Sequence, residues 1–143
     1  MTFRTLSDRY ATSPQISPAD LAAIRAAGYA TVICNRPDGE NPPELRAAAM
    51  RRATEAAGLV FVENPVMPGA MTEANVETQR TAIARSEGPV FAYCASGNRS
   101  SIVWALAQAG SAPTADLIAS AARWGYNLEP YRAQIDALAA ARA

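Results

Sequence analysis

Three short apolar runs, at residues 29–34, 59–62 and 90–93, are each bounded by glycine, proline or asparagine and read as buried strands. Between them the apolar positions recur at helical spacing. Ser17, Pro18 and Asp20 mark a helix start, with serine as N-cap and an acid three residues on; Leu21 and Ile24 give its inner face, and Gly28 stops it. An alanine-rich helix over 44–57 ends at Gly58. Thr72 caps a third helix through about Arg85, with Val76 and Ile83 on one face, and residues 100–109 form the helix fed by the last strand. Beyond Gly110 the pattern is all helical, over 114–124 and 130–140, with a turn at 125–127. Breaker-rich segments at 35–43 and 64–69 are loops.

Alternation of strand and helix predicts an α/β domain of three layers, αβα, around a mostly parallel central sheet. In such a sheet the carboxyl ends of the strands share one edge, where ligands usually sit. The loops after Cys34, after Val62 and at Cys94 should therefore meet, which makes Arg36, Asp38 and Cys34 pocket candidates beside Cys94.

With 143 residues, half of them apolar, the chain suits one domain over 1–143. Formal net charge is zero and the arginines are scattered, so neither nucleic acid nor an anionic membrane is expected as a partner. Two cysteines are too few for a disulfide framework, and no apolar run reaches membrane-spanning length. Met1 leads straight into polar sequence, so a cytoplasmic protein without a secretion signal is the expectation. The absence of histidine narrows the chemistry further: it removes Cys-His dyads, Ser-His-Asp triads and imidazole metal sites. No metal or cofactor is called for.

The remaining chemistry concentrates in residues 94–100. A cysteine closes the third apolar run, a short polar loop follows, and a helix begins at once. Free N–H groups of such a loop and helix start converge on one spot, where the helix dipole favours negative charge. Cys94 is the candidate nucleophile, its thiolate favoured by Arg99 and the helix start. The planar fork of Arg99 suits two oxygens of an oxyanion. Gly97 allows a left-handed turn, the N–H groups of Ala95, Ser96, Gly97, Asn98 and Arg99 line the anion cradle, and Ser100 is placed to donate a hydrogen bond to the Cys94 sulfur. The competing reading is an inert cysteine that ends a core strand.

The segment Tyr93-Cys94-Ala95-Ser96-Gly97-Asn98-Arg99-Ser100 resembles the active-site loop of rhodanese-type sulfurtransferases, in which four residues separate cysteine from arginine. Protein tyrosine and dual-specificity phosphatases use a loop one residue longer, usually with histidine where Tyr93 stands. Residues 13–21, 28–40 and 88–90 extend the likeness. Together with the loop they resemble the beta-lactamase-hydrolase-like, phosphatase-like domain family over about residues 1–110. That resemblance implies a dual-specificity-phosphatase-like fold carrying a rhodanese-length loop, in a family labelled with both activities.

Phosphatase chemistry asks for a general acid worth about two to four powers of ten, usually an aspartate on a separate loop. Between Asp38 and Asp116 there is no aspartate, and Glu63, Glu73 and Asp38 lie in no acid-loop motif. Sulfur transfer needs no such acid. The expectation is therefore a sulfurtransferase that carries sulfane sulfur as a Cys94 persulfide, taken from thiosulfate or another persulfide. The alternative is a phosphatase that acts on a phosphoester through a Cys94 phosphocysteine. A third reading is a non-catalytic anion-binding or redox-sensing domain, in which Cys34 resolves an oxidised Cys94. Trp104 and Trp124 are expected in the core, and Arg46, Arg51 and Arg52 on a solvated face.

Overall fold

The computed structural model describes residues 1–143 and opens with a hairpin that the hydrophobic pattern does not announce: β1 (Arg4–Ser7) paired antiparallel with β2 (Tyr10–Ser13). Three further strands follow, β3 (Thr31–Cys34), β4 (Val60–Glu63) and β5 (Val90–Tyr93). The sheet order is β1-β2-β5-β3-β4, and every pairing except β1 with β2 is parallel. The hairpin escapes a sequence reading because β2 is interior yet carries Thr12 and Ser13, both buried. These polar residues serve the Cys94 loop rather than the core.

Helices cover both faces. α1 (Leu21–Ala26) and α2 (Ala47–Ala56) pack on one side; α3 (Glu73–Arg85), α4 (Asn98–Gln108), α5 (Thr114–Ala122) and α6 (Arg132–Arg142) pack on the other. Strand alternation divides the core accordingly. Tyr10, Ile33, Val90 and Ala92 join Val103, Leu106, Leu117 and Ile135 in one cluster. Ala11, Val32, Phe91 and Tyr93 join Leu21, Ile24, Met50 and Phe61 in the other. Burial of a side chain such as Phe91 contributes about 1.5–3 kcal/mol, so both faces supply substantial stabilisation.

Several boundaries differ from the sequence reading for local reasons. Residues 18–20 form a 3-10 turn before α1, with the Ser17 N–H donating to Asp20 at 2.9 Å. A second proline-led turn, Pro43–Leu45, precedes α2, so that helix starts at Ala47. α3 begins after Thr72, whose hydroxyl accepts from the Asn75 N–H. α6 is tied to the end of α4 by Arg142, whose Nη1 donates to the carbonyls of Leu106, Ala107 and Ala109. A cation suits those carbonyls because the α4 dipole is negative there. Trp104 is buried, and the half-buried Trp124 donates from Nε1 to the Thr5 carbonyl. No helix is long and apolar enough to cross a membrane.

Candidate active site

The carboxyl ends of β2, β3, β4 and β5 share one edge, and their loops are stitched together by backbone hydrogen bonds. The Cys94 N–H donates to Ser13 O at 3.2 Å, Asn35 to Tyr93 O at 2.8 Å, Asn64 to Cys34 O at 2.9 Å, and Val66 to Asn35 O at 3.0 Å. The three loops expected to meet therefore do so.

Within the Cys94 loop, Gly97 turns the chain into α4 at φ +96°, a left-handed conformation that favours glycine. A Cβ at this position would collide with the Tyr126 hydroxyl. The Gly97 carbonyl is held by the hydroxyls of Thr12 at 2.6 Å and Ser101 at 2.7 Å. From outside, Tyr126 donates to Ser96 O and accepts from Arg4, both at 2.7 Å. So fixed, the loop points the Gly97 N–H at the Cys94 sulfur at 3.1 Å. The N–H groups of Ala95, Ser96, Arg99 and Ser100 donate to no protein acceptor, whereas that of Asn98, expected in the cradle, is taken by Ser96 Oγ at 3.2 Å. Cys94 is fully buried, whereas Ala95, Ser96 and Asn98 are exposed around it.

Arg99 is held by three hydrogen bonds. Its Nη1 donates to Glu40 Oε2 at 2.9 Å and to Val66 O at 2.8 Å, and its Nη2 donates to Glu40 Oε1 at 2.7 Å. A guanidinium has five N–H groups. Both on Nη1 and one on Nη2 are committed, which leaves the second Nη2 proton and Nε as a side-on fork for an oxyanion. Glu40 raises the Arg99 pKa against an opposing effect of burial, and Cys94 adds to the rise. In return Arg99, then Arg36, hold the Glu40 carboxyl below the usual carboxylate range against a smaller opposing effect of burial. Arg36 joins through Nε to Glu40 Oε1 at 3.2 Å and through Nη1 to Gln15 at 3.3 Å.

Beneath the loop lies a closed ring of neutral polar groups. Gln79 of α3 donates to the Tyr10 hydroxyl at 2.7 Å, and that hydroxyl donates to Ser100 O at 2.8 Å. Asn35 and Asn64 both donate to Gln79 Oε1 at 3.0 Å. All five residues are buried. A ring without formal charge fixes loop, helix and strand ends while avoiding the cost of a buried ion.

Some candidates from the sequence take other places. Ser100 does not bond the Cys94 sulfur: its hydroxyl donates to Asn35 Oδ1 at 3.0 Å and completes the ring. Asp38 accepts from the Ala47 N–H at 2.8 Å at the start of α2 and makes no ion pair with Arg36, whose carboxylate partner is Glu40. Cys34 stands in register with Tyr93, not Cys94. Neighbours in parallel register project to the same side, so Cys34 shares the α1/α2 face with Tyr93, the opposite face from Cys94. Burial pushes the Cys34 thiol up. Tyr93, at the position where a phosphatase histidine is usual, also turns away from Cys94, and burial raises its pKa too.

Glu40, Gln79, Tyr10, Asn35, Asn64, Thr12 and Tyr126 were not singled out by the sequence. Gln79 alone left a trace: it sits between Val76 and Ile83 at the spacing of an inner helix face, where an amide needs buried partners.

A five-stranded, mostly parallel sheet with a cysteine–arginine anion loop at its carboxyl edge defines a domain of the protein tyrosine and dual-specificity phosphatase-like fold. Residues 2–111 match the family described as beta-lactamase hydrolase-like protein, phosphatase-like domain, and the chain belongs to that family. It is 34% identical over 103 residues to a beta-lactamase hydrolase-like protein of Xylella fastidiosa strain Temecula1, covering 72% of this chain. The matched part is 24% of that relative, so the chain spans about a quarter of its length. Among solved structures it resembles a candidate phosphatase from Neisseria meningitidis Z2491. That match has TM-score 0.81 and 35% identity, and covers 96% of this chain and 99% of the other. It shares its fold with P. aeruginosa TpbA, whose cysteine-to-serine variant was solved with phosphotyrosine, at TM-score 0.64 and 17% identity over 94% of this chain and 86% of that one.

Proposed function

We propose that this domain hydrolyses phosphoesters through a Cys94 phosphocysteine. The observation that carries this reading is the paired anion apparatus around one sulfur. Four uncommitted N–H groups and the side-on fork of Arg99 surround the thiol that receives the Gly97 N–H. A phosphoryl group offers three oxygens to such donors, and its transfer is catalysed mainly by positioning and charge stabilisation. In this reading Cys94 is the nucleophile and Arg99 the oxyanion clamp. The N–H groups of Ala95, Ser96, Arg99 and Ser100 are the cradle, and Ser100 acts through its backbone rather than its hydroxyl. The phosphatase-like family and the phosphotyrosine complex of TpbA support a phosphoester substrate.

Sulfur transfer is the second reading, favoured by one observation: four residues separate Cys94 from Arg99, the rhodanese spacing. Redox pairing has less support, because Cys34 and Cys94 belong to opposite faces of the sheet. One experiment separates the first two. The protein and a Cys94→Ser control are incubated with 4-nitrophenyl phosphate or with thiosulfate, and phosphate release and intact mass are followed. Cys94-dependent phosphate release with an acid-quenched phosphoryl adduct is the expected result. A Cys94-dependent, thiol-reversible gain of one sulfur atom without phosphate release would replace the hydrolase reading by sulfur transfer.

A further inference from the structure

We propose that this site cleaves only phosphate esters whose leaving group departs as an anion without help, aryl and acyl phosphates, and leaves alkyl phosphates intact. The inference rests on the hydrolase reading above and specifies its substrates. Glu40 apart, the carboxyl groups on the loops of the active edge are either bound to other partners or exposed away from Arg99. Asp20 is bound to the Ser17 N–H, Asp38 to the Ala47 N–H, and Glu129 to Arg132. Glu63 lies in register with Cys34, two strands from β5 and on the α1/α2 face. Glu44 is exposed in the turn that precedes α2, and Glu73 is exposed in the first turn of α3.

Only Glu40 reaches the Arg99 guanidinium, and it is spent there. Both its oxygens accept from Arg99, and one also accepts from Arg36. Those two cations keep it ionised at neutral pH. A carboxylate in that state holds Arg99 in place but has no proton to give.

The segment that passes over Arg99 contributes apolar surface instead. Residues 64–72 contain no acid, and the Val66 carbonyl accepts a hydrogen bond from Arg99 Nη1. Val66, Met67, Met71, Ile102 and Leu106 line a cavity of about 190 Å³ with Arg99, Tyr131 and Gln134. A leaving group that extends past Arg99 into this cavity would meet mainly methionine and aliphatic side chains, which suit an aromatic body, and no carboxyl group.

The reaction is balanced without an acid. The Cys94 thiolate forms a bond to phosphorus as the bond from phosphorus to the leaving oxygen breaks, and that oxygen departs with the electron pair as phenolate or carboxylate. Water then attacks the phosphocysteine, the phosphorus–sulfur bond breaks, phosphate is released, and the proton from water goes to solvent. Phenols ionise near pH 10, so their anions leave unaided far more readily than alkoxides. A general acid is worth about 10²–10⁴-fold for a poor leaving group.

The test uses the full chain and a graded series: 4-nitrophenyl, phenyl and phenethyl phosphate, together with acetyl phosphate, each followed by phosphate release with Cys94→Ser as control. The expected result is a steep fall in kcat/KM from nitrophenyl to phenyl, with phenethyl phosphate at least about 10²-fold below phenyl. The basic limb of the pH profile for phenyl phosphate should be flat. Phenethyl phosphate within about tenfold of phenyl phosphate overturns the proposal. So does a falling basic limb that Glu63→Gln or Glu73→Gln removes. Absence of release from 4-nitrophenyl and acetyl phosphate alike overturns the hydrolase reading itself, an outcome distinct from the other two.

Discussion

Cys94 and Cys34 lie at the same edge of the same sheet, on neighbouring strands one residue out of step, yet their surroundings are opposite. Cys94 opens a loop whose Gly97 N–H points at its sulfur and whose Arg99 guanidinium lies close by. Cys34 is packed with Tyr93, Phe61 and Leu21, its thiol donates to the Arg36 carbonyl, and burial pushes its pKa up. The difference is one of parity. A strand alternates its side chains, so a single step along β5 exchanges the apolar layer under α1 and α2 for the anion loop under α4. Residue type says what a cysteine can do; the face it occupies decides whether it does it.

The comparison breaks most sharply at Cys94 itself. Cys94→Ser should lower kcat for an aryl phosphate by at least about 10⁴-fold, read as phosphate release, while thermal unfolding stays cooperative. Next in size is Arg99→Lys. The point charge remains but the fork is lost, and kcat/KM should fall about 10²–10³-fold in steady-state assays.

Glu40→Gln should cost about ten- to a hundredfold in kcat/KM, because Arg99 keeps the Val66 carbonyl but loses its bidentate anchor. Glu40→Asp should recover less than the wild type, since the shorter acid reaches one oxygen at most. The same pair leaves a mark on stability. The folded-state pKa of Glu40 lies below its ordinary 4.5, so the stabilisation is complete above that pH and lost as pH falls through the lowered value. Urea titrations of wild type and Glu40→Gln should therefore differ at pH 7 and converge toward pH 3.

The smallest catalytic effect belongs to the other cysteine. Cys34→Ala should change turnover by no more than about twofold while lowering stability by about 0.5–3 kcal/mol, measured by urea unfolding. Alkylation sharpens the contrast. At pH 8 in native protein, Cys34 should resist iodoacetamide because burial keeps it as a thiol, and should label only after unfolding. Loss of activity in Cys34→Ala with unchanged stability would mean that the two faces communicate.

Much of the architecture was legible along the chain because it rests on local signals. The three apolar runs became β3, β4 and β5, the cap at Thr72 started α3, and breakers after Cys34 and Val62 produced the loops that meet at the active edge. The hairpin of β1 and β2 was not legible. Thr12 and Ser13 are polar, and their burial is explained only by partners about eighty residues away, Gly97 and Cys94. Ser100 shows the same limit from the other side: adjacent to Arg99 in the sequence, its hydroxyl is drawn to Asn35 by a ring that closes through Gln79.

The sequence by itself determined the cysteine and arginine with four residues between them, the glycine that permits the turn, and the absence of histidine and of an acid in residues 64–72. These are properties of composition and spacing, and they hold wherever the segment is placed. The tertiary structure alone decided that Glu40 grips Arg99 from fifty-nine residues away, that Cys34 faces the other layer, and that Gln79 lies beneath the loop. Those relations depend on strand order and on side-chain parity across the sheet, and neither exists until the chain has folded.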